Sequence, residues 1–276
     1  TELYQNTYKS RSAIIEGVLY PGTYLLAGAP KIGKSFLVAQ LAYHVSTGKE
    51  LWGYQVRQGT VLYLALEDEH RRLQERMYRM FGTDSSEKLF FATCAKQIGN
   101  GLEDQLKKFM KEHPDTKLVI LDTLQKIREV GNEKNSYEII GKLKQITDES
   151  GCCFLLVHHT RKQQADDKFD MISGTNGLLG SADGAFMLVK EKRTDQTATL
   201  DVSGRDQKDQ RNYLTRDNER LIWELDHVEA EPWVEPTDAV LEAIAALVNE
   251  TSPVWNGTAT ELVSALGVDL KPNALA

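Results

Sequence analysis

Apolar residues in this chain fall into two rhythms that take turns. Short continuous runs, the mark of strands buried on both faces, alternate with stretches where apolar residues recur every third or fourth position, the mark of one-sided helices. The runs are Thr23 to Ala27, Val61 to Leu66, Leu89 to Ala92, Leu118 to Leu121 and Cys152 to Val157. Helical spacing covers Phe36 to Val45, Glu69 to Phe81, Leu102 to His113 and Tyr137 to Glu149. Strands alternating with helices predict right-handed crossovers and a mostly parallel sheet covered on both faces, an α/β fold. From Ala185 onward strands follow one another directly: Phe186 to Lys190, Ala198 to Val202, Tyr213 to Arg216 and Leu221 to Leu225. These predict an antiparallel extension of the same sheet.

The rhythm stops at Glu229 to Pro236 (EAEPWVEP), where two prolines and three acids suit neither element, so this segment reads as a linker. The predicted organisation is an N-terminal arm over 1–12, a core domain over 13–228, the linker over 229–236 and a helical segment over 237–276. That last segment holds two short amphipathic stretches, Asp238 to Asn249 and Ala259 to Leu266, and another helix start at Pro272 to Ala276. The order resembles the opening of a winged helix-turn-helix. The chain begins without methionine and stops where the third helix of such a fold should begin, so a trimmed form is expected.

The 276 residues allow one large core with a small appendage. No apolar stretch approaches the roughly 20 residues of a membrane helix and the N-terminus is too polar for a secretory signal, so a cytoplasmic protein without a membrane partner is expected. The balance of 33 Lys+Arg against 40 Asp+Glu gives a net charge of -7, which argues against coating duplex DNA through a global positive field. Cys94, Cys152 and Cys153 have neither disulfide-framework nor metal-ligand spacing and read as core residues.

Against this background one motif stands out. Gly28-Ala29-Pro30-Lys31-Ile32-Gly33-Lys34-Ser35 fits G-x-x-x-x-G-K-[ST], which arises by chance in about 1% of chains this long. It lies between a predicted strand and a predicted helix, where backbone N–H groups, including that of Phe36, and the positive helix end cradle phosphates. Lys34 would reach the β- and γ-phosphates of ATP, and Ser35 would bind Mg²⁺. Asp122, at the end of Leu118-Val-Ile-Leu, is the second magnesium candidate, because ligands of open α/β sheets collect at the carboxyl ends of strands. Glu67 ends the strand after the loop's helix and would orient the attacking water; the adjacent Asp68 leaves that choice open by one residue. His159, in the His158-His159 pair ending the Phe154 to Val157 run, could contact the γ-phosphate. An HH pair also suggests a metal, but neighbouring side chains on a strand point to opposite faces.

The ordered set GAPKIGKS, YLALED, VILDTL, VHHTRK, ISGTNGLLGSADGAFML and DVSGRD resembles the RecA-like ATPase core of hexameric replicative helicases of the plasmid RepA type. The resemblance spans roughly Ala13 to Leu225. It implies that Glu67 is the catalytic glutamate, that His159 replaces a sensor glutamine, and that Arg205 is an arginine finger supplied to a neighbouring subunit. Where DnaB-type relatives carry a lysine two residues before that arginine, this chain has Ser203. The resemblance also implies a homo-hexamer gripping single-stranded DNA, with a replication initiator or primase as a further partner.

Arg161 to Asp170 (RKQQADDKFD) has little apolar content, and Arg161, Lys162 and Lys168 are its cations. By the resemblance this loop faces a central channel, with Ser173 and Gly174 adding backbone contacts to DNA. Lys126 and Arg128, after Asp122, form a second set. A hexamer repeats these few cations sixfold around one axis, which reconciles an acidic subunit with DNA. Two alternatives stay open: a RecA-like regulatory or recombination ATPase that does not unwind, and a small-molecule kinase on the same phosphate loop.

Overall fold

The computed structural model describes residues 12–128, 136–160, 169, 172, 176–192, 194–205, 207–230, 254 and 257–266. Two compact units divide the chain, Thr1–Glu231 and Pro232–Ala276. In the first, β1 (Gly22–Gly28), α1 (Lys34–Thr47), β2 (Thr60–Ala65), α2 (His70–Phe81), β3 (Leu89–Ala92), α3 (Leu102–Glu112), β4 (Thr116–Asp122), α4 (Ser136–Ser150) and β5 (Cys153–His159) alternate as the apolar rhythm predicts. After α5 (Asn176–Ser181) come β6 (Gly184–Val189), β7 (Thr197–Gly204), β8 (Gln207–Arg216) and β9 (Trp223–Ala230).

Among the described residues these strands form one sheet in the order β3-β2-β4-β5-β1-β6-β7-β8-β9. The strands from β3 to β6 run parallel, and β7, β8 and β9 add antiparallel neighbours. The expected fold class is therefore the observed one. Successive side chains alternate between two cores. Leu26, Tyr63, Ile120 and Leu155 face Leu37 and Val38 of α1, while Leu25, Leu64, Leu121 and Phe154 face Leu106 of α3 and Ile140 and Leu143 of α4. Full burial of the central strands explains why they read as unbroken apolar runs.

Three expectations need correction. Leu221 has φ 61°, a left-handed conformation that starts no strand, because Asp217 takes the N–H groups of Glu219 and Arg220 in a tight turn; β9 begins at Trp223 instead. It also runs on through Glu229 and Ala230, which pair with Arg211 and Gln210 of β8 and so belong to the sheet, not to a linker. Cys152 and Cys153 are buried, but Cys94 lies beyond the end of β3 and is exposed.

In the second unit, α6 (Ala259–Leu266) starts with a reciprocal cap: Glu261 accepts from the Thr258 N–H at 2.8 Å, and the Glu261 N–H meets the Thr258 hydroxyl. The other elements of the expected winged helix, Asp238 to Asn249 and Pro272 to Ala276, lie outside the described residues. Among the described residues no helix is long and apolar enough to cross a membrane.

Candidate active site

The phosphate loop joins β1 to α1, and close packing on its outer side fixes its shape. A Cβ on Gly28 would stand 2.6 Å from both Ile32 and the Leu188 carbonyl. One on Gly33, where φ is 106°, would stand 2.9 Å from the Trp223 ring. Lys31 also has positive φ, 66°, and is exposed, whereas Ile32 is buried in the core and contributes only its backbone to the loop. Lys34 is 5% exposed, and its Nζ donates to the carbonyls of Gly28 at 2.7 Å and Ala29 at 2.9 Å. It also lies 3.2 Å from His159 Nδ1. Burial lowers its pKa to about 8, partly opposed by Asp122 and Glu67. Burial and then the Lys34 charge hold His159 below the ordinary histidine range, so the imidazole is neutral and accepts from the ammonium.

Register brings the acids up to the loop. Gly28 pairs with His159, and Ala65 pairs with Asp122. Leu121 pairs with Leu156, so Asp122 stands level with Val157 and His159 extends two residues beyond it. Tyr63 donates to Asp122 Oδ2 at 2.9 Å, and Ser35 also bonds this carboxylate. Burial raises the Asp122 pKa, opposed by these two hydrogen bonds. Thr123 Oγ1 donates to Glu67 Oε1 at 3.0 Å, leaving Glu67 exposed at the mouth. Asp68 is engaged elsewhere: its carboxylate is 2.8 Å from Arg76 Nη1 and 3.5 Å from Arg72 Nε. The Arg76 contact is ionic without hydrogen-bond alignment, since Nη1 makes no directed bond. Asp68 does not cap α2 either, where Glu69 holds the N-cap position.

Pro30, Lys31, Lys34, Ser35, Glu67, Asp122 and His159 thus line one cleft of about 520 Å³. Ser35 and Asp122 place a hydroxyl and a carboxylate side by side, hard oxygen donors that suit Mg²⁺, which takes its other ligands from phosphate and water. Among the described residues no cluster of three or more His, Cys, Asp or Glu side chains could hold a metal ion. Sequence reasoning overlooked three arginines lining this cleft, Arg72, Arg76 and Arg216. The helical spacing of Asp68, Arg72 and Arg76 was a usable signal for two of them. Arg216 had none, because it enters from β8, far along the chain.

Arg205 lies at the other end of the sheet. Gly204 pairs with Gly184, which pairs with Tyr24, four residues before Gly28; that separates the two ends by about 13 Å along the strands and two strand spacings across. The Arg205 N–H donates to the Asp183 carbonyl at 2.9 Å and Nη2 to the Gly180 carbonyl at 2.7 Å. Its exposed side chain lines a separate cavity with Leu179, Ala182 and Ser203. Arg161, Lys162, Lys168, Ser173 and Gly174 lie outside the described residues. Of the second set of cations, Lys126 is exposed on the turn after Asp122, and Arg128 is half-buried.

A glycine-bounded phosphate loop, a buried lysine, a strand-end aspartate paired with the loop serine and a glutamate at the mouth define a RecA-like phosphate-loop ATPase fold. The chain belongs to the AAA domain family, whose model matches residues 1–165. The fold is also that of a KaiC-like protein from the hyperthermophilic archaeon Pyrococcus horikoshii, at 16% identity and a TM-score of 0.55, covering 78% of this chain and 98% of that one.

Proposed function

We propose that this chain is one subunit of a ring-forming, ATP-driven motor: a replicative DNA helicase of the plasmid RepA type, working as a homo-hexamer on single-stranded DNA. The observation that carries the proposal is the placement of Arg205 at the opposite end of the sheet from its own phosphate loop. An exposed arginine there serves a neighbouring copy's nucleotide, which makes hydrolysis a property of the interface.

Within one subunit the chemistry is positional and electrostatic. Lys34 exchanges its bonds to the loop carbonyls for phosphate oxygens. Glu67, oriented by Thr123, aligns a water with the γ-phosphorus. Ser35 and Asp122 would hold a magnesium ion, which supplies Lewis-acid neutralisation of phosphate charge. His159, hydrogen-bonded to Lys34, is placed to register the loss of the γ-phosphate at the end of β5, next to the segment that begins at Arg161.

The test is ATP hydrolysis with and without single-stranded DNA, together with strand displacement from a forked duplex. A helicase hydrolyses faster with DNA and displaces the strand. DNA-stimulated hydrolysis without displacement moves the protein to the regulatory or recombination ATPases, and phosphate transfer to a metabolite moves it to the kinases. Lys162→Ala with Lys168→Ala should remove most of the DNA stimulation and flatten the salt dependence of DNA binding; unchanged affinity and slope would retire that loop as the DNA contact.

A further inference from the structure

The antiparallel extension does more than widen the sheet, because its β8–β9 hairpin comes back over the phosphate loop. Arg216, the last residue of β8, lays its guanidinium 4.4 Å from the Phe36 ring centroid and 5.7 Å from that of Trp223. Phe36 follows Ser35 directly, and on its side of the loop Arg76 also approaches the ring, at 5.1 Å. A Cβ on Gly33 would lie 3.5 Å from Arg216 Nη1, so the guanidinium stands beside the first turn of α1. Arg216 Nε is buried and makes no hydrogen bond. Burial lowers the Arg216 pKa, and the charge of Arg79 lowers it further. A half-buried guanidinium with an unused donor and a cationic neighbour is short of an anion.

We infer that Arg216 is a substrate-binding residue that takes the α-phosphate of a nucleoside di- or triphosphate, in cis, on the same subunit that carries Lys34. The inference rests on the ATPase reading of this cleft and names a contact that reading does not include. Two observations choose the α-phosphate. His159 Nδ1 stands 3.2 Å from Lys34 Nζ, and Glu67 is bonded by Thr123, the residue after Asp122, which together mark the hydrolytic end. Arg216 stands at the Phe36 end, and in a phosphate loop whose lysine reaches the β- and γ-phosphates the first turn of the helix meets the α-phosphate. The hairpin is held for this role. Gln40 of α1 bonds both backbone groups of Trp223, each at 2.8 Å, and Arg79 of α2 donates to the carbonyls of Glu219 and Asn218 in the β8–β9 turn. Phe36 occupies one face of the guanidinium and limits its rotation, so few rotamers remain to be lost on binding.

Calorimetric titration of ADP and of a nonhydrolysable ATP analogue into wild-type protein, Arg216→Gln and Arg216→Lys tests this, with thermal midpoints read on the same samples. Arg216→Gln should weaken both nucleotides by about tenfold, the scale of one charged hydrogen bond, with their affinity ratio unchanged. Arg216→Lys, which keeps the charge without the planar fork, should recover part of the loss. Affinities within twofold of wild type for both nucleotides, or a loss confined to the ATP analogue, overturn the assignment. If Arg216→Gln does not fold, Arg216→Lys is read by the same rule, weaker binding of both nucleotides supporting the contact and wild-type affinity overturning it. Wild-type protein that binds neither nucleotide overturns the ATPase reading itself, a result distinct from any failure at Arg216.

Discussion

Two neighbouring acids, Glu67 and Asp68, are told apart by a single hydroxyl and two guanidinium groups. In the sequence either residue suited the water-orienting role. Asp68 is committed to Arg76 and Arg72, while Thr123 bonds Glu67 and leaves it facing the cleft. Glu67→Gln should therefore bind ATP yet lower kcat by at least about 100-fold, the usual contribution of a positioned base. Asp68→Asn should act through α2 and spare more of the rate; the reverse order of effects moves the role by one residue. Lys34 makes a pH prediction. Among protein groups its pKa is about 8, and phosphate oxygens raise it again. Below pH 8 the lysine is protonated in either case and affinity is flat; above it, binding must take up a proton, so affinity falls as pH rises. Titrations at about pH 9 in two buffers of different ionisation heat should show that uptake, and equal apparent heats would exclude it. At this scale the contiguous motif was legible from spacing alone, because backbone geometry forces its residue types. Arg216 was not, since nothing local in Tyr213 to Arg216 says which loop that strand's end will meet.

Among the elements, legibility followed burial. The six parallel strands are apolar on both faces and declared themselves as runs, although β6, expected in the antiparallel extension, pairs parallel with β1. β8 was expected only over Tyr213 to Arg216, yet it begins at Gln207, because Gln207 to Asn212 is polar on both faces and owes its strand conformation to β7 and β9. β9 likewise carries Glu224, Asp226 and Glu229 along the edge of the sheet, a charge pattern that discourages edge-to-edge association. What ties this polar hairpin to the rest of the domain is Trp223, fully buried against the phosphate loop and bonded through its backbone by Gln40, with Trp52 also donating to its carbonyl at 2.7 Å. Gln40→Leu keeps the volume and removes both bonds from a side chain that is 3% exposed. The unpaired Trp223 N–H should cost about 1–3 kcal/mol in urea denaturation at unchanged m-value. A loss under about 0.5 kcal/mol would mean that the hairpin is held by its strand pairing alone.

For the molecule as a whole, the proposed reading has the consequence that no copy completes its own site. Asp183 fixes the far end: its carboxylate accepts from the Thr23 N–H at 2.9 Å and pairs with Lys144, and its carbonyl holds the Arg205 N–H. Arg205 is thereby anchored near the start of β1 while the phosphate loop leaves from that strand's end, so the sheet keeps the two apart. In the proposed ring this spacing would turn each interface into one active site with Lys34 from one subunit and Arg205 from the next. Arg205→Ala and Lys34→Ala should each remove hydrolysis alone, for different reasons. Mixed in equal amounts, they create interfaces in which an intact Lys34 faces an intact Arg205. If subunits assort at random, that holds at about a quarter of interfaces, and hydrolysis should recover toward that share of the wild-type rate. Two affinity tags on the two variants, recovered together from single rings, establish that mixing has occurred. Co-purified rings that remain inactive would place Arg205 outside the shared site and remove the main support for the interface mechanism.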